Sequence, residues 1–545
     1  MPSEIKTDAP LPADVEQTQI PETNQPKKLF RRLLIGAFLL VTTVLIQGAL
    51  SYRFQDEGTQ LVMYSLMVTP AMLLLFGIWW TFFSGFSRKI RWSVVGVIAG
   101  GIGLFFFFFK VVGFTGNMEP VWVKRWAKTH QEKLAEFLKN QKSSLDIPET
   151  KPLVIEEGDW ASYRGPLRNG IVRNAKINID WKANPPKEVW RHPVGLGWSS
   201  FAIVGEYAFT QEQRQEEECV VCYNAKTGKQ IWVHADNTKF AEILGGNGPR
   251  ATPTVYDSKV YALGANGILN CLNALSGKKI WSRNILKDAG NNEKVSNITW
   301  GMSASPLVTE EKIFVNPGGE QGKGVIAYHR ITGDIIWANG NDPASYCAPC
   351  IKKVDNVEQL LIFDGYGLKG HDIETGEELW RFESTNTPKV NAAQPIVQEE
   401  NLIFIGSGYG VGAALLQVTH NKNEWTVTTK YTIKNRCKLK FNDAVYKEGY
   451  VYGLDEGILA CYEFKTGKRM WKKGRYQYGQ ILLTGEHILV LAQDGKVALV
   501  EANPDQFIEV GKFNAIEGKT WNHPVLHQGK LYVRNAEEAA CYQLR

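Results

Sequence analysis

Hydrophobic residues follow two patterns along the chain: long unbroken runs near the start, and short alternating runs from residue 180 onward. Residues 1–28 are rich in proline and polar side chains, which predicts a disordered cytoplasmic tail. Apolar runs then occupy 33–50, 61–83 and 92–109. Each run is close to the roughly 20 residues that a helix needs to cross a bilayer, so three transmembrane helices are predicted.

The charges between these runs predict an orientation. Clusters of basic residues precede the first run and separate the second from the third, at Lys27, Lys28, Arg31, Arg32, Arg88, Lys89 and Arg91. By the positive-inside rule, the N-terminus is cytoplasmic and the chain after the third helix is not. A signal peptide is the alternative for the first run, but its length and the two later runs argue against it. We therefore expect a multi-pass protein of the bacterial inner membrane with a periplasmic C-terminal part.

A ten-residue pattern recurs farther along, as in YNAKTGKQIW at 223–232 and LNALSGKKIW at 272–281. A glycine stands four residues before a tryptophan in five copies: Gly228–Trp232, Gly277–Trp281, Gly333–Trp337, Gly376–Trp380 and Gly467–Trp471. Degenerate copies bring the total to eight, at intervals of about 40–55 residues, and short strands at such a period are typical of propeller blades. The tryptophans are expected to pack between blades, because large aromatic rings fill the space between sheets.

The repeat therefore predicts an all-β, eight-bladed β-propeller. The first marker, Trp190, has no hairpin before it, and the last segment ends without a tryptophan strand. We expect the strand at 187–195 to pair with the C-terminal strands in one blade, which closes the ring and hides two sheet edges. The predicted domains are a tail at 1–28, three transmembrane helices at 29–114, a juxtamembrane helix and linker at 115–150 with the helix at 119–142, and the propeller at 151–545.

The starts of the innermost strands form a second series, which is expected to open on one mouth of the central channel. Candidate cofactor-binding residues at this mouth are Arg250, Trp300, Asn391, Asn442, Trp521, Asn522 and His523. This composition suits a planar or polyhydroxy ligand, and it equally suits polar groups that solvate a wet channel. Asp443 is the candidate catalytic residue and a candidate ligand of a hard cation, although no metal site is predicted from so few groups.

Charge and cysteine usage narrow the classes of function. The net charge of +6 is small for 545 residues and is concentrated at a few points, which argues against a nucleic-acid-binding protein. All eight cysteines lie in the predicted propeller, and four of them share one strand position, which is typical of buried small side chains. Cys347 and Cys350 form a CxxC pair without a second pair at metal-binding spacing, so both a structural and a redox role stay open.

The repeat resembles that of the pyrroloquinoline quinone (PQQ) repeat propellers, a family that holds quinoprotein alcohol and glucose dehydrogenases and the non-enzymatic BamB propellers. The resemblance covers 180–545 and includes GPRATPTV, GSGYGVGAALL and EGKTWNHPVL. It implies an eight-bladed fold and leaves activity open, because function lies in sites rather than folds. The dehydrogenases hold PQQ between a tryptophan and a disulfide of adjacent cysteines, with Ca²⁺ and an Asp base. This chain has no adjacent cysteines.

The sequence thus leads to two hypotheses. The first is a membrane-anchored periplasmic module that binds or scaffolds proteins or polymers, without a cofactor and without nucleic acid. The alternative is a PQQ- and Ca²⁺-dependent dehydrogenase that oxidises alcohols or sugars and passes electrons to membrane quinone. The binding hypothesis predicts an exposed apolar or aromatic patch on the propeller rim. The enzyme hypothesis predicts carboxylates that converge inside the channel mouth.

Overall fold

The computed structural model describes residues 25–54, 58–139, 152–173, 175–291, 297–399, 401–422 and 424–545. The chain divides into two compact units, Met1–Phe108 and Phe109–Arg545. Most of the predicted tail, residues 1–24, lies outside the described residues, and the first helix already begins at Gln25.

Helices form the first unit. They are α1 (Gln25–Arg53), α2 (Gly58–Ile78), which a π-helical segment at Trp79–Phe83 extends, and α3 (Arg88–Phe108). The segments long and apolar enough to cross a bilayer are Leu29–Arg53, Gln60–Phe83 and Arg88–Phe108, with mean hydropathies of 2.3, 2.1 and 1.8. Between α1 and α2, the Gln47 amide donates to Thr69 Oγ1 at 2.8 Å and accepts from Ser65 Oγ at 2.9 Å. These hydrogen bonds give the polar side chains partners that lipid could not provide. The three predicted candidate spans are confirmed.

The segment after α3 differs from the prediction. It contains the strands β1 (Phe109–Phe114) and β2 (Pro120–Lys124), followed by the helix α4 (His130–Lys139). The expected helix at 119–142 is therefore wrong in its first half, where β2 pairs with β1 in an antiparallel hairpin from Phe109↔Lys124 to Phe114↔Pro120. The physical reason is the Val-Trp-Val sequence of β2, since β-branched and aromatic residues favour an extended chain. We call β1, β2 and their connecting turn the hairpin.

The described remainder of the chain builds eight blades around a ring, which confirms the predicted fold. Two strands come before the blades in sequence, β3 (Ile171–Val172) and β4 (Lys187–Pro193). Blade 1 contains β5 (Ala202–Val204), β6 (Tyr207–Arg214), β7 (Glu217–Asn224) and β8 (Gln230–Asp236). Blade 2 contains β9 (Thr254–Tyr256), β10 (Lys259–Leu263), β11 (Ile268–Asn273) and β12 (Lys279–Asn284), and a short helix, α5 (Ile285–Asp288), follows it.

The middle blades repeat this meander. Blade 3 contains β13 (Leu307–Val308), β14 (Lys312–Val315), β15 (Val325–His329) and β16 (Ile335–Asn339). Blade 4 contains β17 (Cys350–Val354), β18 (Val357–Phe363), β19 (Gly367–His371) and β20 (Glu378–Glu383). Blade 5 contains β21 (Ile396–Gln398), β22 (Leu402–Ser407), β23 (Gly412–Asn421) and β24 (Glu424–Lys434).

The last blades complete the ring. Blade 6 contains β25 (Val445–Lys447), β26 (Tyr450–Asp455), β27 (Ile458–Glu463) and β28 (Arg469–Arg475). Blade 7 contains β29 (Gln480–Thr484), β30 (His487–Leu491), β31 (Lys496–Glu501) and β32 (Glu509–Asn514), with β3 added in parallel to β29. Blade 8 contains β33 (Val525–His527), β34 (Lys530–Arg534) and β35 (Glu538–Gln543). Its fourth strand is β4, which pairs Trp190 with Cys541, so the predicted closure of the ring is confirmed.

Five of the repeated tryptophans join a blade to the next one through an indole hydrogen bond: Trp190, Trp232, Trp281, Trp337 and Trp471. Trp232 of blade 1 donates its indole N–H to the Ala274 carbonyl of blade 2 at 2.9 Å. Its ring lies against Gly277, where a Cβ would approach a ring carbon to 2.6 Å. Gly277 has a φ of +70°, a conformation that glycine adopts without strain. The repeated spacing of four residues thus places a turn glycine against the tryptophan of the preceding blade at Gly228, Gly277, Gly333 and Gly376, whereas Gly467 of blade 6 lies against Tyr431 and Ile433.

Candidate functional site

The loops that lead into the innermost strands, together with the β22–β23 connection that carries Tyr409, surround one mouth of the channel with aromatic rings. We call this ring of side chains the aromatic collar; it consists of Trp198, Trp300, Tyr346, Tyr409, Phe441, Tyr478 and Trp521. Ring centroids lie 5.0 Å apart for Trp198 and Trp521, 4.9 Å for Trp521 and Phe441, and 5.3 Å for Phe441 and Tyr478. The predicted Trp300 contacts Tyr346 at 5.7 Å, and the adjacent glycines Gly245 and Gly246 lie against Trp300 and Trp198, respectively.

Basic side chains lie on the rings of this collar. Lys519 Nζ is 4.2 Å from the centroid of Trp521 and 5.0 Å from that of Trp198, and Lys440 Nζ is 4.6 Å from Tyr478. Such cation–π contacts hold a positive charge at the face of an aromatic ring. Burial, with the nearby charge of Arg250 adding to it, lowers the pKa of Lys519 to about 8. The mouth therefore carries positively charged side chains, and burial leaves the Lys519 ammonium group only partly solvated.

The predicted residue Arg250 belongs to the same mouth. Its guanidinium lies 4.7 Å from the ring of Phe240 and donates to the carbonyls of Gly248 at 2.6 Å and Gly246 at 2.7 Å. Gly246 in turn packs on the ring of Trp198. Arg250 thus shapes the loop between two collar tryptophans, and burial lowers its pKa to about 10.

The hairpin lies in the collar. Lys519 Nζ donates to the Phe114 carbonyl at 3.0 Å, and the Gly116 N–H donates to Gln493 Oε1 at 3.1 Å. The same Gln493 oxygen accepts from the Trp521 indole at 2.9 Å. Gly116 packs so closely on Tyr478 that a Cβ there would overlap the ring. The mouth therefore binds polypeptide backbone, which is supplied by the hairpin of the same chain.

Below the mouth, the carboxylate of Asp443 is engaged by several neighbours. It accepts from Tyr163 Oη and from the Gln394 N–H, both at 2.6 Å, and lies 3.3 Å from the Arg164 guanidinium. His523 Nε2 lies 3.5 Å from the same carboxylate, and burial lowers the pKa of His523 to about 4. The structure thus brings the predicted Asp443 and His523 together, in a buried cluster that binds Tyr163 and Arg164. Their role in catalysis or cofactor binding stays a prediction.

The three predicted asparagines lie before the innermost strands of three blades and donate hydrogen bonds to backbone carbonyls. Asn391 Nδ2 donates to the Asp364 carbonyl at 2.7 Å, and Asn442 Nδ2 donates to the Leu454 carbonyl at 3.0 Å. Asn522 Nδ2 donates to the Ser199 carbonyl at 2.8 Å. All three side chains are buried. Within the described residues, no group of three or more His, Cys, Asp or Glu side chains is arranged to hold a metal ion.

A stretch that we call the central segment, residues 159–172, covers the end of the channel opposite the mouth. Trp160 exchanges two backbone hydrogen bonds of 2.8 Å with Ile203 of blade 1, and the Ala161 carbonyl accepts from Val255 of blade 2 at 2.8 Å. Contacts with five other blades follow: Arg168 with Ser305 and Pro306, Leu167 with Lys352, Arg164 with Ala444, Gly170 with Leu483 and Asp159 with His527. This segment joins seven of the eight blades through its own residues.

The CxxC pair lies in the core. Cys347 and Cys350 are buried, and each of the eight cysteines carries a free thiol. Burial raises the pKa of both thiols above the ordinary value, which disfavours the reactive thiolate. The environment is that of packed core cysteines.

Aliphatic side chains are exposed on the outer strands of successive blades. We call this set the outer-strand surface; it consists of Val189, Val233, Ile280, Ile335 and Ile336 of outer strands and Ile331 of the turn before β16, each between 41 and 46% exposed. Blades 2 and 3 are joined beside this surface, because Arg283 of β12 donates to the Gly333 carbonyl at 2.6 Å and to Asp334 at 3.0 Å. On blade 4 the side chains at this surface are charged, because the outer strand β20 carries the ion pair of Glu378 with Arg381 at 2.5 Å.

Sequence reasoning missed several of these groups. Lys519 and Lys440 lie within two residues of the predicted Trp521 and Asn442, so the series of strand starts already marks their neighbourhood. Tyr163 and Arg164 lie outside the repeat, in a lead-in segment whose contacts no period indicates.

Comparisons with known proteins agree with this architecture. The sequence model of the family described as outer membrane protein assembly factor BamB matches residues 179–298 and 220–473. The BamB of Shewanella oneidensis is 20% identical over 298 residues, which is 53% of this chain and 72% of that protein. The BamB of Burkholderia pseudomallei is 22% identical over 324 residues, which is 55% of this chain and 75% of that protein.

Solved structures show the same fold. A quinohemoprotein alcohol dehydrogenase from Pseudomonas putida has a TM-score of 0.52 and 13% identity, over 71% of this chain and 80% of that one. The quinohemoprotein alcohol dehydrogenase of Comamonas testosteroni has a TM-score of 0.50 and 11% identity, over 76% of this chain and 84% of that one. The family matches together span more than half of the sequence. With eight blades and a tryptophan in most outer strands, this chain belongs to the PQQ-repeat propeller family of the BamB type.

Proposed function

We propose that this chain is a scaffold of the bacterial inner membrane whose periplasmic propeller binds a protein partner through the outer-strand surface. The observation that carries the proposal is the exposure of six aliphatic side chains on four successive blades. Exposed apolar side chains that recur on neighbouring blades mark a candidate interaction site. An aliphatic patch on the rim is also the feature by which the binding hypothesis differs from the enzyme hypothesis.

The comparison between blades strengthens this argument. Blades 3 and 4 both bury the outer-strand tryptophan, Trp337 and Trp380, whereas the exposed positions around it differ between them. Blade 3 has Ile335 two residues before Trp337, while blade 4 has Glu378 two residues before Trp380. Because the fold accepts a charge at this position, the isoleucine is explained better by contact with a partner than by packing.

The carboxylates of the mouth favour the same proposal. Glu456 accepts from Tyr478 Oη at 2.6 Å and lies 3.1 Å from Lys440 Nζ, and Asp443 is bound as described above. A catalytic base needs an accessible carboxylate near the reacting group. The BamB relatives are described as assembly factors, and we extend to this chain only that general role, a protein that acts with other proteins.

A photocrosslinking experiment in cells tests the proposal. A benzophenone amino acid at Ile336 is expected to give one discrete protein adduct of the full-length chain. The same amino acid at Lys473, which is exposed on the outer strand β28, is the matched control and is expected to give none. The substitution Ile335→Glu should abolish the Ile336 adduct without changing thermal unfolding.

Two results would contradict the proposal. One is the same adduct pattern from both positions, or no adduct from Ile336. The other is a large thermal stabilisation of the purified chain by PQQ with Ca²⁺, accompanied by dye reduction with alcohols or sugars, which would establish the alternative of a quinoprotein dehydrogenase.

A further inference from the structure

We propose that the aromatic collar is a binding site for an extended acidic peptide, and that the hairpin is an intrachain occupant which such a peptide displaces. This site is separate from the outer-strand surface, and its test is independent of the partner bound there.

The first step of the argument is that the collar recognises backbone. The hairpin contributes a carbonyl, that of Phe114, to Lys519, and an N–H, that of Gly116, to Gln493. Any extended chain offers the same two groups, as in other modes of peptide recognition by main-chain hydrogen bonds. Gln493 is also held in place, because its Nε2 donates to Gln477 Oε1 at 2.7 Å and its Oε1 accepts from Trp521.

The second step concerns charge. The hairpin offers Lys519 a neutral carbonyl, whereas a carboxylate would give a charge-assisted bond of roughly twice the strength. Arg250 adds a second positive charge nearby. The facing carboxylates are Glu242, which is close to Arg250, and Glu456, which Lys440 and Lys438 neutralise at 3.1 and 3.7 Å. The surplus at this mouth is therefore positive, and an acidic ligand is favoured.

The third step concerns the occupant. The hairpin has two strands only, and a hairpin of this size is marginally stable without further support. Its tip depends on glycine, since any side chain at position 116 would overlap the ring of Tyr478. An occupant that relies on backbone contacts and on the absence of a side chain is one that a better ligand can replace.

Two glycines of the hairpin give a matched pair of variants for the test. Gly116→Ala places a methyl group against Tyr478, whereas Gly113→Ala meets its nearest atoms at 4.0 Å. Neither glycine has a positive φ, so the two changes differ in the collar contact and not in backbone strain. The probe is a fluorescent six-residue peptide of alternating valine and glutamate, and the full chain is studied in lipid nanodiscs.

We expect Gly116→Ala to bind this peptide at least tenfold more tightly than the wild type, and Gly113→Ala to bind like the wild type. Adding Lys519→Met to Gly116→Ala should weaken peptide binding at least tenfold, because methionine keeps the contacts with the rings but lacks the positive charge. In the wild type, saturating peptide should accelerate hydrogen exchange of the 109–124 amides, a readout that does not depend on any variant.

Three outcomes with the variants and peptides would overturn the proposal, and a fourth concerns a different polymer. The first three are equal affinity of Gly116→Ala and the wild type, equal binding of a valine–lysine peptide, and unchanged hydrogen exchange of the hairpin at saturating peptide. Tighter binding of an anionic oligosaccharide than of the acidic peptide would also overturn it, because the site would then recognise a polymer other than polypeptide.

Discussion

At the scale of single residues, the contact between a turn glycine and the tryptophan of the preceding blade is the repeated unit of stability. Gly277→Ala would place a methyl group 2.6 Å from the Trp232 ring at a φ of +70°. We expect this change to lower the free energy of unfolding by about 3 kcal/mol, from overpacking together with backbone strain. Chemical denaturation monitored by tryptophan fluorescence measures it.

Gly205 provides the control for that change. Its φ of +55° is also positive, and a Cβ there meets nothing within 4 Å, so Gly205→Ala isolates the backbone strain at about 1 kcal/mol. Equal destabilisation by the two variants would show that the tryptophan contact contributes nothing beyond glycine's conformational freedom.

The pKa values of two buried glutamates of blade 1 are shifted in opposite directions, so their contributions to stability should depend on pH in opposite ways. Burial raises the pKa of Glu218 to about 7, so its contribution to stability is present below pH 4.5 and lost as pH rises through 7. Glu218→Gln should therefore gain stability relative to the wild type between pH 5 and pH 8, by at most about 3 kcal/mol. Thermal unfolding across this range measures the difference.

Glu212 is the reference for this prediction. Burial opposes its ionisation, but the guanidinium groups of Arg214 and Arg534 outweigh it and lower the pKa to about 2. Its stabilisation is present above pH 4.5 and lost only as pH falls through 2, so Glu212→Gln should lose stability at pH 8. A Glu218→Gln curve parallel to that of the wild type would contradict the assignment.

At the scale of elements, the strands of the blades were predictable because their signals are local. A period of two, a turn glycine and a tryptophan lie within ten residues, and the same pattern recurs around the ring. The hairpin was missed because the sequence from Val121 to Trp126 also fits a helix, and its pairing with Phe109–Phe114 decides between the two. Tertiary pairing of this kind leaves no period in the sequence.

The candidate site was predictable in part for the same reason. The series of strand starts located Trp300, Trp521 and Arg250 at one mouth, because equivalent positions of a repeat lie at equivalent heights in the ring. It gave no information on Lys519 or Gln493 as backbone-binding groups, since their partner is the hairpin more than 370 residues earlier. Contacts between the repeat and the segments outside it are a property of the folded chain.

At the scale of the whole molecule, two features hold the ring of blades together. The strand β4 closes the ring in blade 8, and the central segment links blades to one another. One of its links is the buried pair of Arg164 with Asp443, which brings blade 5 into the network through the Gln394 N–H. Removing one partner of a buried ion pair leaves an uncompensated charge, whereas removing both is far less harmful. Variants of this pair therefore test whether the central segment stabilises the ring of blades as a unit.

Arg164→Met is expected to lower the free energy of unfolding of the propeller by about 3 kcal/mol, because the Asp443 carboxylate stays buried without its cation. The double variant Arg164→Met with Asp443→Asn should recover much of this loss. Hydrogen exchange should accelerate in the single variant along the innermost strands of several blades, β25 and β21 among them, and not in blade 6 alone. A wild-type melting temperature for the single variant, or exchange that changes only beside Asp443, would show that each blade is held by its neighbours and that the segment merely covers the channel.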